Sequence, residues 1–315
     1  MGIVIGMDEA GYGPNLGPLV VSLTVWQVPG DPTEGNFWKA FSPVVSQNAV
    51  TKPQQIQLAD SKMVFSTARG IKPLERSVWC ALQLLGEQPA SWRHLLDSLV
   101  DGSRCDPQVE HWFAEADLDL PHEHDPEESL AAVARWQKRQ EKSQHQLVAV
   151  KSELMLTARW NDLVRRLDNK GLALTQTSLE LLRSVWSPTS AEPTLIIADK
   201  HGGRNRYAAV LAETFDGTLF HIQEEGAAAS AYRIGPHEIR FESRAERHLP
   251  VALASMFSKY LRELSMILFN RYWQRHRPDV KATAGYPEDA KRFLAAISTT
   301  HLELGIPLDS LWRER

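Results

Sequence analysis

The chain has 315 residues, 43% hydrophobic and 23% charged, which is enough apolar material for a substantial core in one large domain or two small ones. Lys and Arg total 35 against 39 Asp and Glu, and the net charge of -4 excludes a uniformly basic nucleic-acid coat. Two cysteines, Cys80 and Cys105, exclude a disulfide framework, and the opening MGIVIGMDE lacks the basic flank and apolar length of a signal peptide, so a cytoplasmic setting is expected.

Residues 3–7 and 19–26 are apolar runs rich in β-branched side chains. Gly11, Gly13, Pro14, Gly17 and Pro18 separate them, which predicts two strands joined by an ordered loop. Helical spacing follows at 71–85. Between Asp97 and Glu128 stand eleven acids and one base, Arg104, leaving 34 bases against 28 acids in the rest of the chain. The stretch 87–145 therefore reads as an acidic helical insertion, with helices at 91–99 and 107–116. It interrupts a catalytic domain made of 1–86 and 146–300, and 301–315 is a C-terminal tail. The insertion is expected to lie apart from the chemistry and is a candidate docking surface for a protein partner. Helical spacing continues at 127–146, 150–167 and 177–186. Residues 194–198 predict a third buried strand, ending at Asp199, and 205–215 a helix. Weaker strand patterns at 218–223 and 237–242 precede helices at 251–273 and 287–297. Strands mixed with helices predict an α/β fold.

Asp8 and Glu9 stand where an apolar strand enters a glycine-rich turn, a place where carboxylates are costly to bury without a cation or donors. Adjacent strand side chains point to opposite faces, so both serve one site only if the strand ends between them; an ordinary acidic turn is the alternative. If the strands at 3–7 and 194–198 are parallel neighbours, their C-terminal ends bring Asp8 and Asp199 together, and two like charges at one edge call for a metal. The loop Lys200-His201-Gly202-Gly203-Arg204-Asn205-Arg206 suits phosphate, or else starts a helix with Asn205 as its cap. On a wheel of 251–270, Leu253, Met256, Tyr260 and Leu264 lie within one apolar arc and Glu263 at its edge, facing a cleft or merely solvated. Four oxygen-donor acids without Cys or His spacing favour Mg²⁺ or Mn²⁺ and two-metal phosphodiester hydrolysis. Cys105, His111, His122 and His124 match no zinc spacing, and no phosphate-binding Gly-x-x-x-x-Gly-Lys loop is present.

The segment MDEAGYGP at 7–14, followed by GPLVV at 17–21, resembles the opening signature of type 2 ribonucleases H, the ribonuclease HII family. Asp60-Ser61-Lys62 is similar to that family's Asp-Ser-Lys element, and Ile197-Ala198-Asp199-Lys200 with Tyr207 to its third-acid segment. Residues 251–256 with Lys259, Arg262 and Glu263 resemble its fourth-acid helix, and Ala284-Gly285-Tyr286-Pro287 its Ser-Gly-Tyr-Pro segment. The resemblance implies a ribonuclease H-like mixed sheet flanked by helices. It also implies a metal-dependent endonuclease that hydrolyses the RNA strand of RNA/DNA hybrids or of ribonucleotide-containing DNA duplexes, giving 3′-hydroxyl and 5′-phosphate ends. Asp8, Glu9, Asp199 and Glu263 would be the catalytic metal ligands. Gly11, Tyr12, Gly13, Lys62 and Tyr286 would meet the substrate, with Lys62 on a phosphate and Gly11, Gly13 and Tyr286 reading the 2′-hydroxyl. Two departures stand out: Tyr12 where the family has Arg, and Glu263 where it has Asp. Alternatives are a catalytically weak nucleic-acid-binding protein of the same fold, recruiting partners through the insertion, and a metal-dependent nuclease acting on another nucleic acid.

Overall fold

The computed structural model describes every residue except Thr67, Arg104, Glu115 and Arg315, so two charges of the acidic stretch, Arg104 and Glu115, lie outside the described residues. The described residues include nine strands: β1 (Gly2–Ala10), β2 (Leu19–Val28), β3 (Val45–Ser46), β4 (Ile56–Gln57), β5 (Gln146–Met155), β6 (Thr194–Asp199), β7 (His221–Glu225), β8 (Ala229–Ile234) and β9 (His237–Glu242). The short β3 and β4 pair with each other, and the other seven form one mixed sheet in the order β5-β2-β1-β6-β9-β8-β7. Neighbours β1, β6 and β9 run parallel, while β5-β2-β1 and β9-β8-β7 are antiparallel. This is the mixed sheet flanked by helices expected of a ribonuclease H-like chain.

Among the described residues there are thirteen α-helices. In chain order they are α1 (Phe37–Phe41), α2 (Ser61–Val64), α3 (Lys72–Leu84), α4 (Trp92–Leu99), α5 (His111–Ala114), α6 (Leu130–Ser143) and α7 (Thr157–Leu167). There follow α8 (Lys170–Arg183), α9 (Ala208–Thr214), α10 (Leu249–His276), α11 (Pro287–Ala296), α12 (Ser298–Glu303) and α13 (Leu308–Leu311). The strand alternation sorts side chains into two cores. Ile5 and Met7 of β1, with Ile196 and Ala198 of β6, join a core containing Trp160 and Leu174 of α7 and α8. Val4, Leu195 and Ile197 join the other core, with α10. Gly6 lies directly under the start of α10, where an added Cβ would come within 2.2 Å of the Pro250 carbonyl carbon. Only glycine lets the helix approach the sheet this closely.

Two expectations are corrected here. The helical spacing at 150–167 resolves into the second half of β5, then α7. The acidic stretch is not a lobe standing apart. Trp92, Trp112 and Trp136 are each at most 1% exposed and belong to the α10-side core. Trp112 packs on Phe269 of α10 at 5.0 Å between ring centroids, and Trp136 on Trp26 of β2 at 6.5 Å. The stretch thus forms a third layer over α10, which explains why that helix is apolar nearly all round and not on one stripe. Buried Glu75 of α3 secures it, accepting the consecutive amides of His122, Glu123 and His124 at 2.6, 2.6 and 2.7 Å and the Tyr260 hydroxyl of α10 at 2.6 Å.

The segment 301–314 also packs back onto the domain. Asn161 of α7 donates to the carbonyls of Asp309 and Trp312 at 3.1 and 2.8 Å, and Trp160 Nε1 donates to the Glu314 carbonyl at 3.2 Å. No helix among the described residues is long and apolar enough to cross a membrane.

Candidate active site

Asp8 and Asp199 share the sheet face of Val4 and Ile197 and follow the paired residues Met7 and Ala198 of the parallel strands β1 and β6. Their carboxylates therefore meet at one strand edge, beneath α10. The third parallel strand, β9, ends at Glu242 and leads through the short 3₁₀ turn Ala245–Arg247 into α10, and this turn delivers Glu246. One carboxylate oxygen from each of Asp8, Asp199 and Glu246 lies within 4.8 Å of the others. Among the described residues, this is the sole group of three or more His, Cys, Asp or Glu side chains with ligand atoms so close together.

Local structure fixes each acid. The Asp199 carboxylate accepts the Ala245 amide at 3.1 Å and so ties the end of β6 to the turn carrying Glu246. Ser258 of α10 donates its hydroxyl to the Asp8 carbonyl at 3.0 Å, and the hydroxyl of Ser255, which donates to Ser61 Oγ at 3.1 Å, acts to lower the Asp8 pKa. Burial pushes Asp8 well above the usual carboxylate range, and the charges of Glu9, Glu246 and Asp199 add to it. Glu9 is raised to about 7 by burial first and then by Asp199. Asp199 and Glu246 are raised as well, burial again leading in each case. Carboxyls that raise one another in this way form a site that a hard divalent cation would relieve, and an all-oxygen donor set suits Mg²⁺ or Mn²⁺.

Glu9 lies on the opposite strand face to Asp8, because β1 continues to Ala10 and does not end between the two acids as the sequence suggested. It is half-buried, and Asp199, Lys62 and Glu246 all bear on it electrostatically. Glu263 does not join the acids. It sits five residues beyond Ser258 on α10, about 7 to 8 Å farther along the axis, and its Oε1 is taken by Lys259 Nζ at 2.6 Å and Arg262 Nη1 at 3.4 Å. Glu246, and not Glu263, is the glutamate grouped with Asp8 and Asp199. No local pattern marked it: Glu246 stands four residues past the end of β9, in the turn that leads into α10.

The remaining candidates border this edge. A cleft of about 490 Å³ lined by Gln47, Asn48, Asp60, Lys62, Arg244 and Glu246 opens on Asp199. Asp60 caps α2 by accepting the Lys62 amide at 3.0 Å, and exposed Lys62 feels Asp60, Glu246, Asp8 and Glu9. Gly11 has φ +94° and an added Cβ there would meet the Pro18 carbonyl at 2.6 Å, so this turn requires glycine. Gly13 is exposed beside Tyr286, which is itself 52% exposed and whose Cε1 lies 3.9 Å from the position of a Gly13 Cβ. Tyr12 points elsewhere. Its ring packs edge-on to Trp160 at 6.5 Å, Lys170 Nζ lies 4.5 Å from its centroid, and its hydroxyl is close against Gly202. Lys200, the first cation of the basic loop, is turned inward: Nζ donates to the carbonyls of Arg204 and Gly226 at 3.1 and 2.7 Å and to Asn205 Oδ1 and Ser230 Oγ at 3.0 Å each. Asn205 therefore holds Lys200 and caps no helix; α9 starts three residues later.

No protein-family model and no curated protein matches the chain. Solved structures do. The ribonuclease H2 of Pyrococcus horikoshii OT3 is 14% identical, with 98% of this chain and 92% of that one covered at a TM-score of 0.44. The ribonuclease HII of Archaeoglobus fulgidus, solved in complex with PCNA, is 12% identical over 99% and 94% of the two chains, at 0.42. The ribonuclease H3 of Aquifex aeolicus is 16% identical over 98% and 71%, at 0.41.

Proposed function

We propose that this protein is a divalent-metal-dependent endonuclease that hydrolyses the RNA strand of RNA/DNA hybrids or of ribonucleotide-containing DNA duplexes. The observation that carries this reading is the convergence of Asp8, Asp199 and Glu246 at the C-terminal edge of three parallel strands. These three acids would hold Mg²⁺ or Mn²⁺, with Glu9 adding its charge from the neighbouring face. Ions bound there supply activation of the attacking water and stabilisation of the leaving oxygen.

The protein's own groups account for binding and orientation. Exposed Lys62 sits where a backbone phosphate would neutralise it. Exposed Gly13 and the Tyr286 ring form a small platform on which a sugar and its base can lie, close enough to contact a 2′-hydroxyl. In the reaction water attacks phosphorus and the P–O3′ bond breaks, leaving a 3′-hydroxyl on one fragment and a 5′-phosphate on the other.

The test is cleavage of matched duplexes carrying an RNA tract, a single ribonucleotide or none, with Mg²⁺, with Mn²⁺ and with EDTA. Cleavage confined to the ribonucleotide-containing duplexes and abolished by EDTA is expected. Equal cutting of the all-DNA duplex, or metal-independent cutting, overturns the reading.

A further inference from the structure

The loop that would face the ribonucleotide is held from beneath by two buried guanidinium groups. Arg262 and Arg313 are each 1% exposed. Arg313 Nη2 donates to the carbonyls of Gly11 and Pro14, the latter at 2.6 Å, while its backbone amide donates to the Asn15 carbonyl at 2.8 Å. Asn15 Nδ2 returns a bond to the Arg313 carbonyl at 2.9 Å. Arg262 Nη2 donates to the Ala284 carbonyl at 2.9 Å and the Leu16 carbonyl at 3.4 Å, joining this loop to the segment bearing Tyr286. The Gly285 carbonyl closes the link by accepting the amides of Asn15 and Leu16 at 2.7 and 3.2 Å.

Two like charges buried side by side are costly, and burial together with Arg262 pulls the Arg313 guanidinium down to about 9. The main chain of Arg313 is nevertheless fixed by α7, through Asn161 with Trp312 and Glu314. The side chain thus reaches from a docked C-terminal segment, through the protein, to the carbonyls that shape the turn at Gly11–Pro14.

Resting on the function proposed above, we infer that Arg313 is a positioning residue for the Gly11–Gly13 loop, so that the C-terminal segment sets how sharply a lone ribonucleotide is told from DNA. An RNA tract offers many 2′-hydroxyls and an A-form shape to bind. A single ribonucleotide must be found by this loop together with Tyr286, and a displacement of about 1 Å there is enough to cost rate.

Arg313→Met, Arg313→Lys and Arg165→Ala test this with the full chain. Arg313→Met should lower kcat/KM on the single-ribonucleotide duplex about tenfold more than on the RNA tract. Arg313→Lys, which keeps the charge but not the reach, should show the same bias in smaller measure and serves if the methionine variant does not fold. Arg165→Ala removes only surface ion pairs to Asp309 and Glu314, leaves the bonds of Arg313 to Gly11, Pro14 and Asn15 in place, and should leave the ratio between the two substrates unchanged. Hydrogen exchange of the amides at 11–16 should quicken in both Arg313 variants while those of β1 hold their rates. An unchanged substrate ratio in a folded Arg313 variant overturns the inference. If the wild type cuts no duplex, the proposed function fails, and exchange rates at 11–16 then decide the positioning role by themselves: unchanged rates overturn it.

Discussion

Asp199 and Ala245 are joined by one hydrogen bond of 3.1 Å, and that bond brings a third acid to the strand edge. The Ala245 amide belongs to the turn between β9 and α10, so the carboxylate that caps the turn also fixes the residue after it, Glu246.

Glu246→Gln should therefore remove most metal binding and cost several kcal/mol of transition-state stabilisation, on the order of a hundredfold or more in rate. Asp8→Asn should do the same. Titration calorimetry with Mn²⁺ and cleavage of an RNA-tract duplex measure both effects. Glu263→Gln should leave Mn²⁺ affinity unchanged, because its carboxylate faces Lys259 and Arg262. Loss of affinity in Glu263→Gln, with Glu246→Gln unaffected, would reverse the assignment.

Glu75→Ala strands four donors that now converge on one buried carboxylate. At about 1 to 3 kcal/mol for each stranded buried donor, softened by relaxation, a loss on the order of 3 to 5 kcal/mol is expected. Urea denaturation should read it as a lower midpoint with an unchanged slope. Deleting 87–145 should unfold the protein, since it strips Trp112 from Phe269 and Trp136 from Trp26.

His124 is buried, and burial pulls its pKa below the ordinary 6.5 despite the opposing charge of Glu128 at 3.8 Å, with Glu75 helping and Arg76 and Lys72 hindering protonation. The folded state thus favours the neutral ring. Its contribution to stability is complete above about pH 6.5 and is lost as pH falls from there toward the lower folded value, because the unfolded chain takes up the proton first. In His124→Leu the fall in stability between about pH 6.5 and 5 should be shallower than in the wild type, as read by melting temperature across that range.

Lys62→Gln should reduce the salt dependence of hybrid binding by about one phosphate contact. Tyr12→Arg should leave that slope unchanged, since the Tyr12 ring is packed against Trp160 and Gly202 and not turned toward the cleft. Binding isotherms from about 50 to 200 mM salt compare the two. A steeper slope in Tyr12→Arg would mean that position 12 reaches the nucleic acid.

The parts of the fold legible in the sequence were those with an uninterrupted apolar signal. β1, β2 and β6 stand out because both faces are covered, and β9 because its alternation is regular. β5 was hidden by a bulge. Its register against β2 steps from Ala149 to Leu147, passing over Val148, so Leu147 and Val150 both turn inward and imitate helical spacing. Of the site, Asp8 and Asp199 could be read because each directly follows an uninterrupted apolar run. Glu246 could not, because it follows a partly polar strand, and its proximity to the other two depends on a parallel pairing that no local pattern encodes. Glu263 drew attention through its position on a wheel, which ignores how far along the axis a residue lies.

Helix α10 meets the strand-end acids at Ser255 and Ser258, the acidic stretch at Tyr260 and the substrate-facing loop at Arg262, all within eight residues. Each residue of helix turns the chain by about 100° and advances it by about 1.5 Å. Inserting one residue after Ser258 would therefore swing Tyr260 off Glu75 and Arg262 off Ala284 in the same stroke, while the acids stayed in place. Variation on this helix is confined to exchanging side chains at fixed length, and insertions or deletions that reshape the protein have to fall in its loops.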